Sequence, residues 1–390
     1  MIKITNLLII GFLIAIVSCK RETLPTNFYG TNIDSFKTNF GGSGDEVINS
    51  IIQSSDGNYS FTGTTTTLTN GGQDVYVGQT DKNGTLLWSK AIGGASADGG
   101  CDIIETPDHN LLIAGYTKSF NAQNFYEVYL IETDFQGNVL WQKNISDGSS
   151  AYKISLSTAN DGYIITGGAL GLFSLTGREI YIAKLNFTGD LIWSKKYTNS
   201  NDEIGKSFCY DNAGNMIFMG SPQIESASND QYIVKTDSTG DSLWTTSFAG
   251  NGFEDAGNII NAGNNFIMCS SSGTMTNPLG VVNLNKIDAN GHVITAFNFQ
   301  SNYPYAGTFI INTSDNNLLL TGSKSDSTGL SSCYIMKLDN TGKSLWVKTY
   351  GDSTSYTSNK VIETSDSYVL AGSVADNTGS LNAMIIKVKK

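Results

Sequence analysis

The chain has 390 residues, 39% of them hydrophobic, with Gly 42 against Pro 5 and a formal net charge of −11. An apolar share of that size supports a packed core and excludes a disordered chain, while the glycine-dense, proline-poor balance calls for many tight turns, an all-β composition. The acidic balance, without any Lys/Arg cluster, excludes a nucleic-acid partner, because phosphate binding needs a basic stripe.

Residues 1–18 read as a signal segment: Lys3 opens it with a positive charge, Leu7 to Val17 is apolar over signal-peptide length, and Ile16-Val17-Ser18-Cys19 closes it. That tetrapeptide resembles the bacterial lipobox. The resemblance implies cleavage before Cys19 and acylation of Cys19, hence a cell-envelope protein held to the outer membrane by its N-terminal lipid. Lys20-Arg21-Glu22 is net basic, which leaves the periplasmic and the surface face both open. Residues 19–27 then form a tether, and 28–390 a single domain.

From residue 28 on, one pattern repeats. A unit reads Asp56-Gly57, an apolar run to Gly63, Tyr76 to Asp81 and Gly84, Leu86-Leu87-Trp88, and a closing Gly93-Gly94. The tryptophan returns at Trp141, Trp193, Trp244 and Trp346 with a pitch of 51 to 53 residues, and Thr295 holds its phase in the one gap. Self-similarity at this period marks units that bury their apolar faces only against neighbours. The Asp-x-x-Gly step recurs at Asp134 to Gly137, Asp237 to Gly240, Asp288 to Gly291 and Asp339 to Gly342, with Asn186 before Gly189; it is a hairpin turn between runs short enough and β-branched enough to be strands, four per unit. After Met384 to Lys387 the last unit lacks its Trp strand, and Ile33 to Gly42 aligns with Thr85 to Gly94, placing Phe36 in the Trp phase. The expected fold is therefore all-β: a seven-bladed β-propeller of four-stranded blades, closed by the N-terminal strand completing the last blade. Blade five departs most, with Thr295, Ser270 and Asn283 at positions where other units have Trp, Gly and Tyr.

Tyr232 to Trp244 and Tyr334 to Trp346 resemble the repeat of pyrroloquinoline-quinone-type propellers, and the longer half of each unit resembles the propeller lipoproteins of Bacteroidetes-type bacteria. Seven units rather than eight, and no neighbouring half-cystines, separate the chain from the quinone enzymes, so the resemblance implies fold and envelope location, and no cofactor is expected. Cys101, Cys209, Cys269 and Cys333 lie in different blades at different phases, which argues for buried thiols rather than a disulfide framework or a zinc site. His109 and His292 sit in turn phases, and no metal or catalytic set is expected.

Function is expected on one face. Loops joining second to third strands, and blade to blade, emerge together and are expected to be long; the Asp-Gly and Asp-x-x-Gly turns emerge opposite. The candidate partner-binding residues are Asp45, Asp98, Asp202 and Glu254, with Phe125, Tyr126, Phe253, Tyr303, Tyr305 and Tyr356. The acids either tie down loop backbone or focus a negative field on a basic partner. The function expected is that of a monomeric, non-catalytic binding or scaffold protein for a protein, peptide or glycan; the alternative is an envelope enzyme, a carboxylate/tyrosine lyase or hydrolase or a quinone-type oxidoreductase, with its site in the propeller funnel.

Overall fold

The structure is a computed structural model, and it describes residues 19–23, 34–67, 69, 71–120, 122, 125–145, 149–171, 178–197, 203–222, 231–248, 253–274, 277–300 and 305–390. Residues 1–18, read as the signal segment, lie outside the described residues.

Two strands precede the first complete blade, β1 (Cys19–Thr23) and β2 (Asp34–Phe40). Blade one is β3 (Glu46–Gln53), β4 (Tyr59–Thr65), β5 (Asp74–Thr80) and β6 (Leu86–Ile92); blade two is β7 (Asp98–Glu105), β8 (Leu111–Thr117), β9 (Glu127–Thr133) and β10 (Val139–Ile145). Blade three is β11 (Ser149–Ala159), β12 (Gly162–Gly171), β13 (Arg178–Leu185) and β14 (Leu191–Tyr197); blade four is β15 (Glu203–Tyr210), β16 (Met216–Pro222), β17 (Gln231–Thr236) and β18 (Ser242–Phe248). Blade five is β19 (Phe253–Ala262), β20 (Asn265–Thr274), β21 (Asn277–Ile287) and β22 (Val293–Gln300); blade six is β23 (Tyr305–Asn312), β24 (Leu318–Ser325), β25 (Ser331–Leu338) and β26 (Ser344–Tyr350). Blade seven joins β27 (Tyr356–Glu363), β28 (Ser367–Ala375) and β29 (Leu381–Lys389) to β2, with Phe36 opposite Lys387 and Phe40 opposite Ala383. The fold is a seven-bladed β-propeller, closed by the N-terminal strand.

The first strands of the blades pack against one another in sequence, and β27 returns to β3, so they surround the axis. Middle strands are buried on both faces, because each blade is sandwiched between two others: every residue of β5 is buried, whereas the outer strand β6 is largely exposed. The core is correspondingly divided into clusters that each bridge two blades. At the closing seam Ile48, Phe61 and Tyr76 of blade one pack with Val369, Ile385 and the half-buried Phe36 and Phe40 of blade seven. Blade seven thus meets blade one through the same kind of core that joins blades two and three, where Leu130 and Ile145 meet Ile165 and Tyr181.

Two recurring residues acquire physical reasons. Each first strand is bulged, as between Ile48 and Ser50, and the second-strand glycine lies opposite that bulge. A Cβ on Gly63 would fall 1.8 Å from the Val47 carbonyl oxygen, and one on Gly322 1.8 Å from that of Ala306, so the glycine is required by close approach of the neighbouring strand of the same blade. The tryptophan reaches into the next blade. A Cβ on Gly137 would lie 2.4 Å from the Trp88 ring and one on Gly240 2.8 Å from the Trp193 ring, and Gly189 and Gly291 meet Trp141 and Trp244 in the same way, so these four indoles rest on the turn glycine of the next blade. The Trp88 Nε1 hydrogen donates to the Phe135 carbonyl at 2.9 Å, fixing the ring at that seam. Blade five is less degenerate than its phase suggests: Phe297, two residues beyond Thr295 and on the same face of the strand, covers Gly342.

Blade five also gains a fifth strand. β1, within the segment read as a tether, pairs parallel to β22 with Cys19 opposite Ala296 and Thr23 opposite Gln300. The edge of β22 carries no charged side chain, a property it shares with β18 but not with β6, β10 or β26, so no lysine blocks the pairing.

Candidate functional site

Three loop-face carboxylates, those of Asp45, Glu46 and Asp98, are committed to the ring itself. Asp98 is fully buried; its Oδ2 accepts from the Gly94 N–H and the Ser119 hydroxyl, both at 2.7 Å. Its counterpart in blade one is Glu46, not Asp45: Glu46 pairs with Thr65 as Asp98 pairs with Thr117, and its Oε2 accepts from the Gly42 N–H at 2.7 Å. The closing Gly-Gly of the repeat is therefore, at the connections into blades one and two, the donor side of a clamp to an acid at the start of the next first strand. Asp45 is exposed, and its Oδ1 accepts from the Leu381 N–H at 2.8 Å across the closing seam. The same phase continues through Glu203 and Glu254, both in first strands, to Tyr305 and Tyr356. Asp202 and Tyr303 lie outside the described residues, and Phe253 begins β19. Stepping 52 residues back from Asp98 lands on 46, which is the signal that identifies Glu46.

The aromatics divide. Tyr305 is buried against Tyr334, with ring centroids 4.7 Å apart, and burial pushes its phenol above the usual range. Tyr356 is buried up to its hydroxyl, which donates to Asp352 Oδ2 at 2.6 Å. Tyr126 meets Tyr116 edge-on, and Lys118 lies 4.2 Å from its ring centroid. Phe125 is 46% exposed, as is Phe120 in the same loop of blade two. Phe120 was not among the residues singled out by sequence.

The expectation of long loops on this face fails in blades six and seven. Asp326 to Leu330 and Asp376 to Ser380, which join second to third strands, are tight turns with Gly329 and Gly379 at positive φ. Their Asp-x-x-Gly pattern is the same turn chemistry as on the opposite face, placed one hairpin earlier.

Around the axis, side chains from successive first strands form a girdle. The Asn49 amide donates to the Gly100 carbonyl at 2.7 Å, Asn258 to Ile310 at 2.9 Å, and Asn359 to Ile48 at 2.8 Å, the last closing the ring. One level away, Lys360 of blade seven donates to Ser50 Oγ of blade one and to Asp102 Oδ1 of blade two, both at 2.8 Å, while Asp102 Oδ2 accepts from the Leu156 N–H of blade three at 3.1 Å. Sequence reading missed this group, since Ser50, Asp102, Ser207, Phe309 and Lys360 share a phase but no chemistry.

Both histidines belong to turns. His109 Nδ1 is 2.7 Å from Glu105 Oε1 and 3.2 Å from the Ser55 hydroxyl. A nucleophile–base–acid relay needs one ring nitrogen for each neighbour, whereas here a single nitrogen faces both. Glu105 binds the Ser55 N–H at 2.7 Å, as Glu363 binds that of Ser314 at 2.6 Å, so this set is a recurring strap between adjacent turns. Burial alone would raise the Glu105 pKa, yet the bonds from Ser55 and His109 hold it below the usual range. Among the described residues no three His, Cys, Asp or Glu side chains group so as to hold a metal ion.

No protein-family model matches the sequence, and no curated protein matches it. Solved structures share the propeller. BBS1N, in complex with ARL6DN, superposes with a TM-score of 0.55 at 9% identity, covering 92% of this chain and 97% of that one. Puromycin hydrolase gives 0.53 at 10% identity, covering 87% of this chain, which spans only 53% of that protein's length. The WD40 domain of Neurospora crassa Pan2 gives 0.52 at 8% identity, covering 89% and 90%. At these identities the likeness is one of fold.

Proposed function

We propose that this propeller is a lipid-anchored envelope protein of the bacterial type, with quinone-type repeats but no quinone, acting as a non-catalytic binding or scaffold protein whose partner is a protein. One observation carries the binding role: Phe120 and Phe125, each 46% exposed, stand together on a single loop of a ring whose other loop-face acids and tyrosines are largely committed to internal bonds. Exposed aromatics on a rigid support are the residues that anchor protein interfaces. WD40 and BBS1-type propellers are compatible neighbours for such a role. The enzyme alternative would place its chemistry in the funnel, where Lys360 and Asp102 are tied to each other and to Ser50.

Two experiments test this reading. A photo-crosslinking residue at position 125, in cells expressing the full chain, is expected to give one discrete protein adduct that the same residue at Lys82, in a turn on the opposite face, does not; equal adducts from both positions, or none from 125, overturn the binding reading. Cys19→Ala is expected to abolish labelling by radioactive palmitate and release the protein from the membrane fraction, and equal labelling of the variant removes the anchor.

A further inference from the structure

The third strands of blades three to six carry a lysine at one register, opposite the Trp phase, where blades one and two have Gln79 and Glu132: Lys184, Lys235, Lys286 and Lys337 face Trp193, Trp244, Thr295 and Trp346. Three of these lysines are neutralised by an aspartate from the first turn of their own blade. Lys184 binds Asp161 and Lys235 binds Asp211, both at 2.8 Å, and Lys337 binds Asp315 at 2.5 Å. In blade five that turn reads Ala262-Gly263-Asn264-Asn265 and holds no acid, and among the described residues Lys286 has no ion pair or hydrogen bond.

The same seam lacks the indole. Phe297 covers Gly342, but nothing of a tryptophan's size stands at Thr295, and a cavity of about 860 Å³ opens there between blades five and six, on the face of the tight turns. Lys286, Thr295, Asn316 and Asn340 line it with side chains that make no bond within the described protein. Asn261 and Asn312, also in the wall, already donate to the Tyr210 and Asn261 carbonyls. Ile267, Leu284, Phe297 and Leu318 supply an apolar wall.

We propose that this pocket binds a carboxylate-bearing sugar, a hexuronic acid unit of an acidic saccharide. The ammonium of Lys286 matches the carboxylate, and two free amides with a hydroxyl match ring hydroxyls, which both donate and accept. The apolar wall with its aromatic ring suits the C–H face of a pyranose, and the volume falls in the range of small-ligand sites, large for a lone anion. The proposal goes beyond the loop-face reading and does not rest on it, since the pocket opens on the other side of the ring.

The test is calorimetric titration of the soluble chain from residue 19 with digalacturonate and with a glucuronate-containing disaccharide, against maltose and acetate. At least one uronate is expected to bind, about tenfold more weakly to Lys286→Gln, the loss expected for one charge-assisted hydrogen bond. Thr295→Trp, which restores the repeat's own residue, is expected to abolish binding with the melting transition retained, and Lys184→Gln, at the same register of blade three, to leave it unchanged. No heat with either uronate at ~10 mM, equal binding of maltose or acetate, or undiminished binding by Lys286→Gln overturns the proposal. Uronate binding by Lys286→Gln alone settles the matter if Thr295→Trp does not fold, and a failed crosslink at 125 bears only on the loop face.

Discussion

Lys360 Nζ lies 2.8 Å from Asp102 Oδ1, although one residue belongs to blade seven and the other to blade two, with Ser50 of blade one between them. The bond spans the closing seam and the seam after it, and both side chains are largely buried, at 16% and 14% exposure. Removing one partner leaves the other charged and poorly hydrated. Lys360→Met and Asp102→Asn are each expected to lower unfolding free energy by about 2–4 kcal/mol, with the double variant costing clearly less than the sum. Chemical denaturation of the four proteins measures this; additive losses would show that the pair is not coupled.

Closure by β2 makes a second expectation. A chain starting at Gly41 loses the strand opposite β29 together with Phe36 and Phe40 of the closing core. Its melting temperature is expected to fall well below that of the parent, with a broadened transition, because the edge of β29 is exposed and the ring opened. Unchanged melting would mean that the ring does not need its closing strand.

The aromatic on the neighbouring turn can be tested from both sides. Trp193→Ala is expected to cost about 2 kcal/mol, less than the roughly 3–5 kcal/mol of a fully buried aromatic, because the residue is only partly buried. Gly240→Ala, in the next blade, is expected to cost a similar amount, since φ there is +79° and a Cβ would meet the same ring. If Gly240→Ala is neutral, the contact does not carry the seam.

The acids at the heads of β3 and β7 predict stability rather than recognition. Asp98→Asn and Glu46→Gln keep the size of the side chain but weaken the bonds to Gly94 and Gly42, and each is expected to cost about 1–2 kcal/mol. Thermal melts at two salt concentrations check this: a loss that vanishes with added salt would point to a long-range field instead of a clamp.

Asp211 gives a pH dependence. Burial alone would raise its pKa, but the bond from Lys235 and the donors of Asn215 and Ala213 outweigh it and bring the carboxyl down from 3.8 to about 2. The folded value lies below the unfolded one, so the stabilisation is complete above about pH 4 and is lost as pH falls toward 2. It amounts to about 2 kcal/mol. The difference in unfolding free energy between the parent and Asp211→Asn is expected to shrink across that window, and a difference independent of pH would refute the assignment.

The architecture was legible because a ring of similar blades writes itself into the chain at a fixed pitch: Trp88, Trp141 and Trp193 mark the period, and Phe36 in the same phase points to closure. What escaped was whatever broke the phase or crossed it. Phe297 took the place of the missing Trp from two positions away, and the Lys360–Asp102 bond joins strands 258 residues apart, with no spacing that repeats. Asp45 drew attention as the first acid of its loop, while Glu46, one residue on, holds the buried position; only strand register separates them. The open pocket was visible in part, as the absence of Trp at 295, but that Lys286 stands there without its aspartate follows from a turn in another strand.

Blade seven is the one blade whose third and fourth strands, β29 and β2, are not joined by a turn. Since every seam is held by the same kind of core, the ring is indifferent to where its covalent break falls, and the break can be moved. A circular permutant that links Lys390 to Asp34 through a copy of the Asp339 to Gly342 turn, and opens instead between Asp237 and Gly240, should fold to the same propeller. It would then present blade four, in place of blade seven, at its chain ends. In such a molecule the blade that carries the chain ends becomes a free choice, one that can be shifted around the ring without redesigning its interior.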